Sequence, residues 1–124
     1  NQFRGTSIGG PVHFIGDPAD KTVYVTEGAL KATIAHALTG KTFVAVAGVS
    51  HYKALIPVFD QLSRNGTKEI IEAYDMDKYT NPNVERCCLQ MLDIASDMGF
   101  IVRRLKWNEE YKGIDDWLAN KPIT

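Results

Sequence analysis

The sequence predicts an α/β domain with a mostly parallel four-stranded sheet, flanked by helices on both faces and preceded by a short extra strand. Short β-branched or apolar runs alternate with longer segments of helical periodicity, which is typical of strand–helix units in a parallel sheet. One of the predicted strands is apolar throughout, as expected where both faces of a sheet are covered. The length of 124 residues suits one compact domain.

The N-terminal half supplies the extra strand, two main strands and the first helix. Val12–Ile15 is a short strand candidate within a lead-in that covers residues 1–21. Thr22–Thr26 (TVYVT) is β-branched and aromatic, which favours a strand. Ala29–Leu38 carries large apolar residues four positions apart, which indicates a helix, and a glycine follows to end it. Thr42–Ala47 (TFVAVA) is the strand that is apolar throughout.

The C-terminal half continues the alternation. Tyr52–Leu62 indicates a helix that begins late or kinks, because Pro57 lies inside it. Glu69–Tyr74 (EIIEAY) is the third main strand. An Asn-Pro pair then provides a helix cap and first residue, and apolar residues at helical spacing follow. Phe100–Leu105 (FIVRRL) is the fourth main strand, and its two arginines place it near an edge.

One domain is expected at residues 22–119, closed by one or two helical turns at 113–119 and followed by a tail at 120–124. The formal net charge is −1, so any nucleic-acid binding must come from a local patch. The only cysteines are the neighbours Cys87 and Cys88, which fit a reducing cytoplasm better than a disulfide framework. There is no apolar run of transmembrane length and no signal peptide. The chain lacks an initiator Met, and we interpret it as a domain of a longer protein.

Three acids follow two of the predicted strands. Glu27 comes directly after the first main strand, and Asp75 and Asp77 come directly after the third. Residues two apart in extended backbone point to the same side, so the two aspartates would face one spot. If the two strands are neighbours, three carboxylates converge, and unit charges about 4 Å apart repel by roughly 4 kcal/mol near a protein surface. A Mg²⁺ ion is the simplest neutralising partner, since it prefers oxygen ligands.

Other chemistries find little support. His13, His36 and His51 lie in different elements without metal-ligand spacing. The chain has no phosphate-binding loop of the Walker type and no Gly-x-Gly-x-x-Gly after a strand. The acids themselves also have a bland interpretation, because a Glu-Gly or an Asp-x-Asp after a strand often only forms a turn or caps a helix. Their combination at two strand ends favours function.

The segments VYVTEGALKA, AYDMDKYTNPNV and KGIDDWLA resemble those of the Toprim family, which is shared by bacterial primases, topoisomerases, recombination-repair proteins and some nucleases. The resemblance is closest to the Toprim-like domains of plasmid, phage and transposon replication proteins of bacteria, and it runs from about residue 8 to residue 119. That family places a Glu after its first strand and an Asp-x-Asp after its third, which here are Glu27, Asp75 and Asp77. The resemblance implies a Toprim/Rossmann-like fold.

The resemblance also implies roles. Asp75 and Asp77 would hold Mg²⁺, or Mn²⁺ as a substitute, against the phosphates of a nucleotide, DNA or RNA. Glu27 would act as general acid or base, or as a further metal ligand. The implied function is phosphoryl transfer within a DNA primase-like replication protein, with a helicase or zinc-binding segment as a neighbouring domain. A Toprim nuclease and a non-catalytic DNA-binding or docking module are the alternatives.

Further residues have two interpretations each. Lys31 stands where primase-type relatives often carry another acid, so it either weakens a second metal site or contacts a phosphate. Asp115 and Asp116 either add ligands or, as we favour, begin a short helix and interact with its dipole. Three basic residues are candidates for contact with a nucleic-acid backbone, although ordinary solvated charges are the commoner case: Arg103, Arg104 and Lys106. Trp107 and Trp117 are expected to be packing residues.

Overall fold

The computed structural model describes residues 12–108 and 110–120. The expected irregular lead-in at residues 1–11 and most of the expected tail, residues 121–124, lie outside this described part. The strands are β1 (Val12–Ile15), β2 (Thr22–Glu27), β3 (Thr42–Val46), β4 (Glu69–Glu72) and β5 (Ile101–Arg104). The helices are α1 (Ala29–Thr39), α2 (Leu55–Arg64), α3 (Pro82–Asp97) and α4 (Ile114–Asn120), with short 3-10 helices at Val49–Ala54 and Met76–Tyr79.

All described strands form a single mixed sheet in the order β1-β3-β2-β4-β5. The α/β class and the helices on both faces agree with the sequence prediction, but the expectation of a four-stranded main sheet was wrong. The extra strand β1 is a full member of the sheet and pairs antiparallel with β3, from Val12 opposite Val46 to Ile15 opposite Phe43. β1 closes what would otherwise be an open edge of β3 and buries Val12 and Phe14.

The turn between β1 and β2 depends on Gly16. Its φ of 130° lies in a region that side chains rarely adopt. A Cβ added there would stand 2.7 Å from the backbone Cα of Thr42, so the chain passes too close for any side chain. Asp17 N–H then donates to the Thr42 hydroxyl at 2.9 Å, which fixes the turn against the start of β3.

Two apolar layers sandwich the sheet. α2 and α3 pack on one face, where Leu55, Phe59 and Met91 are among the fully buried side chains. α1 and α4 cover part of the other face through Ala32, Ala35 and Ile114. The boundaries of α2 confirm that the helix begins late, since Pro57 lies in its first turn, where a missing N–H costs nothing.

α1 forms where predicted, but its large apolar residues do not make its buried face. Leu30 is 73% exposed and Leu38 is 52% exposed, whereas Ala32 and Ala35 are completely buried. Small residues allow the helix to lie close to the sheet. α3 also begins as predicted, because the Asn81 side chain accepts hydrogen bonds from the backbone N–H groups of Asn83 and Val84, and Pro82 is the first helical residue.

Candidate functional site

β2 and β4 are parallel neighbours, paired from Thr22 opposite Glu69 to Val25 opposite Glu72. Beyond this register the Thr26 hydroxyl donates to Ala73 O at 3.0 Å, so the two chains stay together to the carboxyl rim of the sheet. Glu27 is the last residue of β2, and Asp75 and Asp77 follow the end of β4. The adjacency of these strands, on which the predicted site depended, is present.

Glu27 interacts electrostatically with both aspartates. Its neighbours are Lys31, Asp75, Asp77 and Lys112. Burial raises the pKa of the Glu27 carboxyl, Lys31 opposes the rise, and the two aspartates add to it. Gly28 follows with a φ of 90°, and its N–H donates to Val46 O at 2.8 Å, so the chain turns sharply and leaves Glu27 at the rim.

Asp75 is the most enclosed of the three acids, and its two oxygens differ. Oδ2 accepts a hydrogen bond from the Lys31 ammonium at 2.6 Å. Oδ1 is buried and has no hydrogen-bond partner in the part of the chain that the structure describes. Burying a carboxylate oxygen without a partner is costly, and such an atom in a native fold calls for an explanation.

Asp115 brings a second oxygen of the same kind to this place. Its Oδ1 is also buried and lacks a partner among the described residues. A Cβ placed on Gly113 would stand 2.6 Å from that oxygen, 3.3 Å from Asp75 Oδ1 and 3.5 Å from the Cε atom of Lys31. The lack of a side chain at Gly113 therefore lets the carboxylates of Asp75 and Asp115 and the end of the Lys31 side chain approach one place closely.

A cavity of about 210 Å³ opens beside the second aspartate and is lined by Met76, Asp77, Thr80 and Lys112. Its floor is tied to the segment before α4, because Met76 N–H donates to Lys112 O at 2.8 Å. The cavity wall thus carries one carboxylate, Asp77, and one ammonium, Lys112.

The 3-10 helix that carries Asp77 is anchored by a buried ion pair. Lys78 and Glu72 are both fully buried, and the Lys78 ammonium donates to Glu72 Oε2 at 2.5 Å. The same ammonium also donates to Tyr74 O and Leu105 O, each at 3.2 Å. This contact fixes the turn after β4 and with it the direction of the Asp-x-Asp segment.

The residues present suit a magnesium ion held by few protein ligands. No group of three or more His, Cys, Asp or Glu side chains within residues 12–108 and 110–120 is arranged to hold a metal. Mg²⁺ is commonly held by one or two carboxylates and retains several waters. The buried oxygens of Asp75 and Asp115 near Gly113, which lack a partner among the described residues, would be such a smaller donor set.

The basic candidates have different surroundings. Arg104 is held by Glu85 and Glu72, whose hydrogen bonds raise the pKa of its guanidinium and engage its Nε, Nη1 and Nη2 atoms. Arg103 is exposed and pairs with Glu69 at 2.5 Å. Lys106 is exposed, with its ammonium 5.2 Å from the centre of the Tyr79 ring.

Sequence reasoning found the acids after β2 and β4 but favoured a purely structural role for Asp115. Asp115 and Asp116 do occupy the first turn of α4, as expected, and Asp116 is exposed. The buried Oδ1 of Asp115 was the missed feature. The nearest signal in the sequence was the glycine two residues before it, which suits a close approach.

The tryptophans and cysteines, for which the sequence predicted no functional role, have structural surroundings. Trp107 is buried and stacks on Trp117 with ring centres 5.8 Å apart, which agrees with the expected packing role. Cys87 and Cys88 are free and buried in α3. Burial raises the pKa of the Cys88 thiol to about 12.

A family model described as Domain of unknown function (DUF3854) matches residues 14–124 of the chain. No curated protein and no solved structure matches it significantly. None of the described helices has the length and apolar character needed to cross a membrane.

Proposed function

The chain belongs to the DUF3854 family, and we propose that it is a Mg²⁺-dependent domain of Toprim type that performs phosphoryl transfer on nucleic acid within a bacterial DNA replication protein. The observation that carries the proposal is the pair of buried carboxylate oxygens, on Asp75 and Asp115, that have no hydrogen-bond partner in the described part of the chain. These atoms lie at the carboxyl rim of the sheet, which is where open α/β sheets bind ligands. The resemblance of the Glu and Asp-x-Asp segments to Toprim primases supplies the class of reaction.

The acids would divide the work. Asp75 and Asp115 would hold the ion from the enclosed side, and Asp77 would add negative charge from the wall of the adjacent cavity. A bound Mg²⁺ would neutralise phosphate charge and orient the phosphoryl group. Mn²⁺ would serve in its place.

Glu27 is suited to proton transfer. Its raised pKa, caused first by burial, brings its protonation closer to neutral pH than that of an ordinary Glu. Lys112 lines the cavity next to Asp77 and is exposed, and its ammonium would bind a phosphate oxygen of the nucleic acid.

One contact favours a second candidate function. The Lys31 ammonium already neutralises the negative charge of Asp75. With that charge neutralised, the fold needs no metal ion at Asp75, as expected of a domain that binds nucleic acid or another protein without catalysis. Under that alternative the rim is a structural ion pair, and Mg²⁺ has no specific place there.

Mg²⁺ titration by calorimetry tests the metal site directly. We expect saturable binding at millimolar Mg²⁺, and weakening by at least about tenfold in Asp75→Asn and in Asp115→Asn, a loss that even outer ligands of metal sites produce. Asp93→Asn is the matched control, because Asp93 is an exposed residue of α3 away from the rim. Equal binding by all four proteins, or no binding by any, would contradict the metal site.

Activity is tested separately with labelled single-stranded DNA. Nucleotide incorporation on a template in the presence of Mg²⁺, lost in Asp75→Asn, supports the primase-type reaction. Shortening of the DNA under the same conditions supports the nuclease alternative. If the wild type shows neither reaction with Mg²⁺ or Mn²⁺ and binds no metal, the non-catalytic module is the correct interpretation.

A further inference from the structure

Lys31 occupies one oxygen of the carboxylate whose other oxygen has no partner. Its ammonium lies 2.6 Å from Asp75 Oδ2, while Asp75 Oδ1 is buried without a partner among the described residues. The two side chains differ in exposure, at 31% for Lys31 and 7% for Asp75. The lysine therefore reaches the carboxylate from the solvent side, and its flexible stem allows the ammonium to leave without opening the core.

The charges at the rim do not balance. Lys31 and Lys112 supply two positive charges, and the four carboxylates that interact with Glu27 or with Lys31 supply four negative charges, which leaves a formal charge of −2. The four carboxylates are those of Glu27, Asp75, Asp77 and Asp115. The excess matches the charge of one divalent cation. Burial lowers the pKa of the Lys31 ammonium, but the hydrogen bond to Asp75 and the negative charges of Asp75, Glu27 and Asp115 together outweigh burial and raise it, so the lysine stays charged.

A divalent cation and the Lys31 ammonium compete for the same carboxylate. An ion bound at Oδ1 of Asp75 would stand next to an ammonium bound at Oδ2, and the two positive charges repel each other. The Lys31 ammonium is the charge that can move into solvent, so the repulsion displaces it from Asp75. The freed ammonium stays close to the rim because α1 holds its backbone one helical turn after Glu27.

We infer that Lys31 is an exchangeable counter-ion: Mg²⁺ displaces its ammonium from Asp75, and the released ammonium then binds a phosphate oxygen of the substrate. This inference rests on the proposed function, because it assumes that the ion binds at Asp75. Its consequence is coupling. Mg²⁺ binds weakly alone and frees a phosphate ligand as it binds, so ion and phosphate favour each other's binding by more than their direct contact provides.

Three variants separate charge competition from other effects in Mg²⁺ calorimetry. Lys31→Met removes the competitor, and we expect Mg²⁺ to bind about tenfold tighter or more. Lys31→Arg keeps the charge and should bind Mg²⁺ as weakly as the wild type. Lys68→Met is the matched control, since Lys68 is an exposed lysine that precedes β4 at the opposite end of the strand. Unchanged or weaker Mg²⁺ binding by Lys31→Met, while Asp75→Asn still weakens binding as expected above, overturns the inference and leaves the proposed function intact.

Inorganic pyrophosphate tests the second half of the exchange. In the wild type, Mg²⁺ should increase pyrophosphate affinity, and the increase should fall by about tenfold in Lys31→Met but not in Lys68→Met. Nitrogen-15 NMR of the wild-type lysine ammonium groups gives a readout that needs no variant. The Lys31 signal should shift when Mg²⁺ is added and shift again with pyrophosphate. A Lys31 signal that stays fixed while Mg²⁺ saturates the protein refutes displacement, and absence of Mg²⁺ binding in every protein refutes the proposed function as well.

Discussion

Replacement of Lys78 by Met removes the cation that anchors the turn after β4. The side chain is fully buried, and its ammonium donates to Glu72, Tyr74 O and Leu105 O. Met has a similar length and fits an apolar site, so the change removes charge and donors while it keeps most of the volume. We therefore expect the loss to report the ion pair rather than a cavity.

The expected loss in the free energy of unfolding is about 3 kcal/mol. Removing one partner of a buried ion pair typically costs about 3–5 kcal/mol, since the remaining charge is left buried. Here Glu72 keeps two other donors, the Tyr74 N–H and the Arg104 guanidinium, each at 2.7 Å. Because of these two contacts, we expect a loss of stability at the lower end of the range for buried ion pairs. The loss should not be smaller than that, because the carbonyl oxygens of Tyr74 and Leu105 also lose a donor.

Urea unfolding of Lys78→Met measures this loss of stability. Lys106→Met is the control, because Lys106 is an exposed lysine that follows β5. The second variant should change stability by less than about 0.5 kcal/mol. The double variant Glu72→Met/Lys78→Met should recover part of the loss, because it removes both buried charges. A loss below about 1 kcal/mol in Lys78→Met would refute the view that the pair holds the turn.

Three other outcomes follow from single contacts. Gly16→Ala should destabilise the fold by more than about 2 kcal/mol in the same urea assay, because its φ of 130° and the backbone of Thr42 leave no place for a methyl group. The Glu85 carboxyl has its pKa lowered by the hydrogen bond from Arg104, so the stabilisation is present above the ordinary value of 4.5 and is lost as the pH falls through the lowered value. The stability difference between wild type and Glu85→Gln should accordingly be largest near pH 7 and shrink in acid. Cys88, with its pKa raised to about 12 by burial, should react with a thiol reagent only after denaturant is added, and rapid reaction of the native protein would contradict its burial.

Much of the fold could be predicted because its strands and helix ends depend on local chemistry. The buried strand Thr42–Val46 and the Asn-Pro start of α3 are both visible in a short window of sequence. The partner of a strand is not local information. Val12–Ile15 is recognisable as a strand, but its antiparallel position beside β3 follows from closing an edge of the completed sheet.

Helix orientation failed for a different physical reason. Large apolar residues at positions 30, 34 and 38 marked a helix correctly, yet burial of α1 is governed by how closely its backbone approaches the sheet. Close approach selects Ala32 and Ala35 and turns the leucines outward. The size of a side chain and its burial are therefore separate variables in a helix that packs tightly.

The candidate site divides in the same way. The acids after β2 and β4 were predictable, because parallel strands bring their carboxyl ends to one rim. Asp115 was not, since its place beside Asp75 depends on the path of the segment after β5 and on the missing side chain at Gly113. The sequence analysis did not find the buried pair of Glu72 and Lys78; the only signal was an acid inside the apolar run EIIEAY, and nothing local identifies Lys78 as its partner.

Lys78 and Lys31 show how environment gives one chemical group two roles. Both ammonium groups lie within about 2.6 Å of a carboxylate oxygen that belongs to β4 or the turn after it. Lys78 has no exposed surface, and its ammonium donates to a carboxylate and two carbonyl oxygens. If the ammonium moved away, all three acceptors would lose this donor. Lys31 has 31% of its side chain exposed and makes a single side-chain hydrogen bond among those described, so leaving exchanges one partner for water or phosphate. The first lysine can only hold the Asp-x-Asp turn in place, and the second can give way to an incoming ion. Under the proposed function, a rim that binds a cation and still folds without one needs both kinds of lysine.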